Sequence, residues 1–371
     1  MTIDLLSGLW VRAAAPALEP RDWEALLSQA RRARLLGRVA QHFQQRGWLA
    51  DVPDAPRRHL DNALRQVRRQ RDEARWEADC LRRALGHLGT PVVLLKGAAY
   101  VLADLPPARG RLFTDIDILV PKARLRDVEI ALFGEGWVAA AIDPYDERYY
   151  RDWMHELPPL QHIQRRTALD VHHSITPPTS RFAVDARRLL ERLRPLASQP
   201  GLSVLAPEDM VLHGVVHLMQ DGDFSGGLRD LLDFADLVQT FAEDPAFWPA
   251  LVERADELGL GRPLHHALAQ ASRLFGLAPP ATVAAALDRL APAWPARTAM
   301  RALLEQALRP DHPDCDGALT GTARWLLYVR SHWLRMPWYQ ILPHLMRKGW
   351  RRFTALREKR NPQQAQAGLR V

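Results

Sequence analysis

A chain of 371 residues with 47% hydrophobic content can bury the cores of two or three domains. Its two cysteines, Cys80 and Cys315, lie far apart in no ligand spacing. That argues against a disulfide framework and a zinc–thiolate centre and suits a reducing cytoplasm, where the protein is expected. Lys and Arg outnumber Asp and Glu by 50 to 43, for a net charge of +7. The excess collects before residue 90 and in the C-terminal tail, so it describes local surfaces. Such surfaces suit a nucleotide, a nucleic acid or an anionic membrane without choosing among them.

The N-terminus carries Asp4 and lacks the basic start and apolar core of a signal peptide. No stretch approaches about 18 uninterrupted apolar residues, so no membrane span is expected. Residues 1–50 read as short helices, with Trp23, Leu26, Leu27, Ala30 and Ala33 at three- and four-residue steps. The break Asp51-Val52-Pro53-Asp54-Ala55-Pro56 precedes a long helix whose apolar strip runs from Leu60 to Leu88. Arg71 interrupts that strip, either as a snorkelling side chain or as a base aimed at an anionic ligand. Gly86, Gly89 and Pro91 end the helix.

A buried-type apolar run, Val92-Val93-Leu94-Leu95, then ends in Lys96-Gly97. A second run, Asp115-Ile116-Asp117-Ile118-Leu119-Val120, reads as a strand, followed by a helix from Pro121 to about Phe133. Trp137–Ile142 reads as a short strand, and residues 143–154 as a loop or short helix. His155–Ile163 and Thr167–Ile175 read as two strands joined by Gln164-Arg165-Arg166. From Pro177 the periodicity is helical, with the clearest helix opening at Pro207-Glu208-Asp209, where acids suit a helix N-terminus. These patterns define an N-terminal helical region (1–89), an α+β core (90–176), a helical domain (177–308) and a basic, aromatic-rich C-terminal region (309–371).

Strand side chains alternate between faces, so Asp115 and Asp117 project together while Ile116 and Ile118 point away. Two carboxylates side by side on an apolar strand repel and are costly to desolvate unless a cation sits between them. Mg²⁺, held by one or two carboxylates plus substrate phosphates, is the simplest relief. Leu169-Asp170-Val171-His172 offers a third carboxylate on a neighbouring strand. The Lys96-Gly97 junction between strand and helix offers backbone amides and a dipole to phosphate. Together these suit two-metal phosphoryl chemistry. The bland alternative is that Asp115 and Asp117 cap loops or pair with Arg109 and Arg111.

The runs Leu94-Leu95-Lys96-Gly97, Arg111-Leu112-Phe113-Thr114-Asp115-Ile116-Asp117 and Leu169-Asp170-Val171-His172 resemble the bacterial uncharacterised nucleotidyltransferase family. That family lies within the DNA polymerase β-like superfamily, and the resemblance extends over residues 20–260. It implies an α+β fold with a polymerase-β-like core, flanked by N- and C-terminal helical regions. It further implies Asp115, Asp117 and Asp170 as catalytic metal ligands, two Mg²⁺ ions (or Mn²⁺), and a nucleoside triphosphate as donor, with ATP among the candidates. Asp170 would help deprotonate the acceptor hydroxyl, Gly97 would face the phosphates, and Lys96 and Arg111 would neutralise them or serve as structural ion pairs. The turn Lys-Gly-Ala departs from the Gly-Ser or Gly-Gly of many relatives, which removes a hydroxyl from the phosphates.

The expected activity is transfer of a nucleoside monophosphate to a hydroxyl of a protein, a small molecule or an RNA end, releasing pyrophosphate. The rivals are a toxin-like transferase acting on tRNA and a catalytically silent nucleotide-binding or membrane-associated scaffold. His213 and His217, at i and i+4, have zinc spacing but no third ligand in sequence, so hydrogen-bonded histidines are the simpler account. Arg229 and Asp233 read as an intrahelical pair. His172 shares the face of Asp170. The tail sets Trp325, Tyr328, Trp333, Trp338, Trp350 and Phe353 among arginines. It reads as a helical cap with its tryptophans inward, or as a surface for weak contact with anionic lipid or for nucleic acid.

Overall fold

The computed structural model describes residues 4–139, 147, 149–220, 222–337 and 339. Two short helices, α1 (Pro20–Arg32) and α2 (Leu36–Gln45), lead to the long α3 (Asp54–Leu85). Leu60, Leu64, Val67, Ala74, Ala78, Leu81 and Leu85 of α3 are buried, as the three- and four-residue spacing requires. Arg71 pairs with Asp104 at 3.0 Å.

The run Val92–Leu95 forms β1, buried along its whole length. The chain turns directly into α4 (Lys96–Leu102), then forms β2 (Asp115–Leu119), α5 (Leu125–Gly134), β3 (Trp137–Ala139), β4 (Leu160–His162) and β5 (Ala168–His172). The strands run shorter than their patterns suggested, and Ala140, Ala141 and Ile142 lie outside the described residues. Of the stretch expected as a loop or short helix, Tyr149–Trp153 forms a single π-helical turn.

Beyond Pro177 the structure departs from a purely helical reading. After α6 (Ala186–Leu190) come two very short strands, β6 (Arg194–Pro195) and β7 (Leu202–Val204). Both belong to one seven-stranded sheet of order β3-β4-β5-β2-β1-β7-β6. The sheet is mixed: β1 runs antiparallel to β2 and parallel to β7, while β2 runs parallel to β5. Sheet residues beyond 176 therefore flank β1 directly. The architecture is α+β, as expected.

Helices α7 (Pro207–Gln220), α8 (Gly227–Phe241), α9 (Phe247–Glu257), α10 (Gly261–Phe275), α11 (Ala281–Leu290), α12 (Trp294–Ala307) and α13 (Thr320–Arg335) follow. One apolar core joins the second half of α3, the sheet and these helices. A second joins α1, α2 and the first half of α3, and Leu228 and Leu232 of α8 insert into it. Asp209, read as a helix-start acid, is fully buried and grips Arg254 of α9 in a bidentate pair at 2.6 and 2.9 Å.

The described part of the C-terminal region inverts the expected cap. Trp325 and Trp333 are exposed. The arginines turn inward: Arg324 pairs with Asp311, Arg330 donates to the Met219 carbonyl and Arg335 to that of Gln220. Trp338, Trp350, Phe353, Arg347, Lys348, Arg351 and Arg352 lie outside the described residues. Among the described residues, no helix is long and apolar enough to cross a membrane.

Candidate active site

The parallel pairing of β2 with β5 sets Asp117 beside Asp170, with Asp115 opposite Ala168. Alternation then places Asp115, Asp117, Asp170 and His172 on one face and gives Ile116, Ile118, Leu169 and Val171 to the core beneath. The three predicted carboxylates are thus brought together on two neighbouring strands. Entry into β2 is pinned from α3, where the Gln70 amide both accepts from the Phe113 N–H and donates to the Phe113 carbonyl.

Asp117 is the buried centre of the group. Lys96 Nζ donates to its Oδ1 at 2.9 Å and His172 Nε2 contacts the same oxygen at 3.0 Å. Among the described residues both partners fall on Oδ1, leaving Oδ2. Burial works against the Asp117 charge, yet Lys96 and His172 hold the carboxyl well below the usual range. Asp170 shows the opposite behaviour. Burial first, then the charges of Asp117, Glu156 and Asp115, push its carboxyl up to about 7.

Lys96 reaches Asp117 from an unusual backbone. It stands at φ +44°, in the left-handed region that costs a non-glycine residue about 1–2 kcal/mol. The sharp turn from β1 into α4 aims the ammonium back across the sheet, so the strain is spent on placing a charge. Burial opposes that charge, and Asp117, Glu156 and Asp115 more than restore it. Gly97 answers a packing demand: a Cβ there would lie 2.8 Å from the Phe113 ring.

Arg111 is buried and donates to Asp233 and, at 3.3 Å, to Asp230, both on α8. Of its two alternatives, phosphate neutraliser or structural ion pair, the pair is the contact formed. Arg229 bonds Asp230 at 2.7 Å rather than Asp233, so the expected i,i+4 pair is replaced by a cross-element cluster. His217 joins that cluster, 3.5 Å from Asp230. His213 and His217 therefore do not share one site. His213 is buried near Lys96 and His172; burial, then those two charges, keep it well below the ordinary imidazole range.

Sequence reasoning passed over Glu156 and His155. Glu156 faces His172 across an isolated antiparallel bridge, with its Oε2 3.3 Å from His172 Nδ1. The His155 and His172 rings stand 5.3 Å apart. The residue types were visible, but nothing in their spacing foretold the bridge. Beside Asp115 opens a cavity of about 420 Å³ between α3 and the β4–β5 turn, lined by Gln70, Trp76, Phe113, Asp115, Arg165 and Thr167. The Arg165 guanidinium lies over both Trp76 and Trp137, at 5.4 and 5.3 Å from the ring centroids.

Four carboxylates (Asp115, Asp117, Asp170 and Glu156) thus act on one lysine and one histidine. A site so charged favours cations, and its hard oxygen donors suit a divalent one. The sequence model described as uncharacterised nucleotidyltransferase matches residues 19–276. No curated protein matches the chain.

Proposed function

The chain belongs to the uncharacterised nucleotidyltransferase family, and on that premise we propose that it transfers a nucleoside monophosphate from a nucleoside triphosphate to a hydroxyl in a Mg²⁺-dependent reaction. The observation that carries this reading is the β2–β5 register, which sets Asp117 against Asp170 with Asp115 on the same face. The residues fit divalent ions. Three carboxylates supply hard oxygens, and Asp117 keeps Oδ2 clear of its two partners. Burial followed by the neighbouring negative charges drives Asp170 towards its neutral form, a penalty a cation would relieve.

Asp115, Asp117 and Asp170 would hold the metal, which when bound neutralises phosphate charge and polarises the phosphoryl group. Lys96 and His172 fix the Asp117 carboxylate, so its position does not depend on the substrate. Asp170, only partly buried, would take the proton of the incoming hydroxyl. The hydroxyl oxygen forms a bond to the α-phosphorus, the bond from that phosphorus to the α–β bridging oxygen breaks, and pyrophosphate leaves. The cavity beside Asp115, walled by Trp76 and Arg165, suits a planar, polar group of one of the two substrates. With Lys96 held by Asp117 and Arg111 by Asp230 and Asp233, triphosphate contact would rest on the backbone at Gly97 and on the metal when bound.

The test is incubation with each α-labelled nucleoside triphosphate, Mg²⁺ and a bacterial lysate, followed by identification of the labelled component. Label is expected in the wild type and absent with Asp115→Asn. Label that persists in the variant overturns the mechanism.

A further inference from the structure

Beside the three aspartates, a ligand set of different chemistry is assembled. One ligand atom each from His155, Glu156 and His172 lies within 4.8 Å of the others. The backbone under them is fixed. Glu156 and His172 are cross-strand partners, flanked by Leu157 N–H to Val171 O at 2.9 Å and His173 N–H to His155 O at 2.8 Å.

Two details point to an ion. His172 Nδ1 stands 3.3 Å from Glu156 Oε2. Two ligands of one tetrahedral ion, each bonded at about 2.0–2.1 Å, are separated by about 3.3–3.4 Å. In addition, His155 Nδ1 is buried with no hydrogen-bond partner among the described residues. A buried ring nitrogen left unpaired costs free energy unless some group occupies it.

We propose that His155, Glu156 and His172 form a transition-metal site for Zn²⁺, separate from the aspartate site. Two imidazoles and a carboxylate are the donor set of zinc centres that keep an open fourth position, and imidazole donors select against Mg²⁺. The second nitrogen of His172, Nε2, contacts Asp117 Oδ1 at 3.0 Å. That is the carboxylate–histidine–metal arrangement in which an outer carboxylate fixes the ring and raises its basicity. Here the outer carboxylate is itself the centre of the aspartate group. Zinc on the other side of the ring therefore locks the side chain that holds Asp117, and His172 becomes a positioning residue shared by two sites. The site does not depend on the nucleotidyl-transfer reading, because its measurement is metal binding alone.

The experiment uses the full chain, stripped with a chelator and titrated with Co²⁺ as a spectroscopic stand-in for Zn²⁺, in excess Mg²⁺. One equivalent of Co²⁺ is expected to bind with the visible bands of low-coordinate cobalt and to be displaced by Zn²⁺. His155→Asn and Glu156→Gln should each weaken binding by more than the roughly 10–100-fold typical of losing an outer partner, while Asp115→Asn leaves the bands in place. Far-UV circular dichroism verifies each variant, and Glu156→Gln carries the test if His155→Asn does not fold. Absence of the bands in the wild type, or bands unaltered in a folded ligand variant, overturns the proposal. So does their loss in Asp115→Asn, which would place the ion among the aspartates.

Discussion

Lys96 and His172 converge on a single oxygen of Asp117, one from the turn after β1 and the other from the end of β5. That shared contact makes Asp117 a structural residue as well as a candidate ligand, and it separates Asp117 from Asp115.

Asp117→Asn removes the charge that two buried partners, Lys96 and His172, bond to, and should lower unfolding free energy by about 1–3 kcal/mol. Among the described residues Asp115 has no comparable partner, and Asp115→Asn should fall within about 0.5 kcal/mol of wild type. Both variants should lose transfer activity. Urea denaturation of the two proteins side by side gives the comparison, and equal stabilities would remove the distinction.

Asp170 makes the stability of the metal-free protein depend on pH. Its folded-state carboxyl, at about 7, lies above its unfolded value. Between roughly pH 4 and 7 the folded state keeps a proton that the unfolded chain has released, so this residue's contribution falls as pH rises. Asp170→Asn removes the penalty. In chelator at pH 8 the variant should melt a few degrees above wild type, and the gap should close near pH 4. A gap that ignores pH would refute the assignment.

Arg111 joins the loop before β2 to Asp230 and Asp233 of α8. Removing one partner of a buried ion pair costs about 3–5 kcal/mol, so Arg111→Ala should be strongly destabilised in urea. Arg111→Lys should recover only part of the loss, because an ammonium cannot reproduce the forked geometry. A stable Arg111→Ala protein with weakened nucleotide binding would return Arg111 to the phosphate role.

Gly97→Ala should cost about 1–3 kcal/mol through contact with the Phe113 ring. Phe113→Ala in the same chain should relieve that contact, giving a non-additive cycle in thermal or urea unfolding. Simple additivity would mean that the glycine is needed for something other than packing.

Local pattern was sufficient where a strand was long enough to express its period. Asp115-Ile116-Asp117-Ile118 declared both its strand and its polar face, and Leu169-Asp170-Val171-His172 did the same. β6 and β7, of two and three residues, are too short to show any period, and the helical signal around them concealed the rest of the sheet. Charged side chains were read with their sequence neighbours, yet many of their partners were distant. Arg111 found α8, Asp209, in the first turn of its helix as read, also found Arg254, and Glu156 found His172. Partner choice among charges is a property of the folded packing, and spacing along a helix or strand carries little of it.

The parallel pairing of Val92, Val93 and Leu94 with Leu202, Ser203 and Val204 reaches across more than a hundred residues to cover one side of β1. Until that late segment is made, the strand leading to Lys96 presents a bare apolar edge, the kind that recruits other chains. During synthesis the nascent chain must therefore carry this exposed edge until residue 204 has left the ribosome. A fragment ending at 176 would keep it permanently, and is expected to aggregate although it contains all three aspartates.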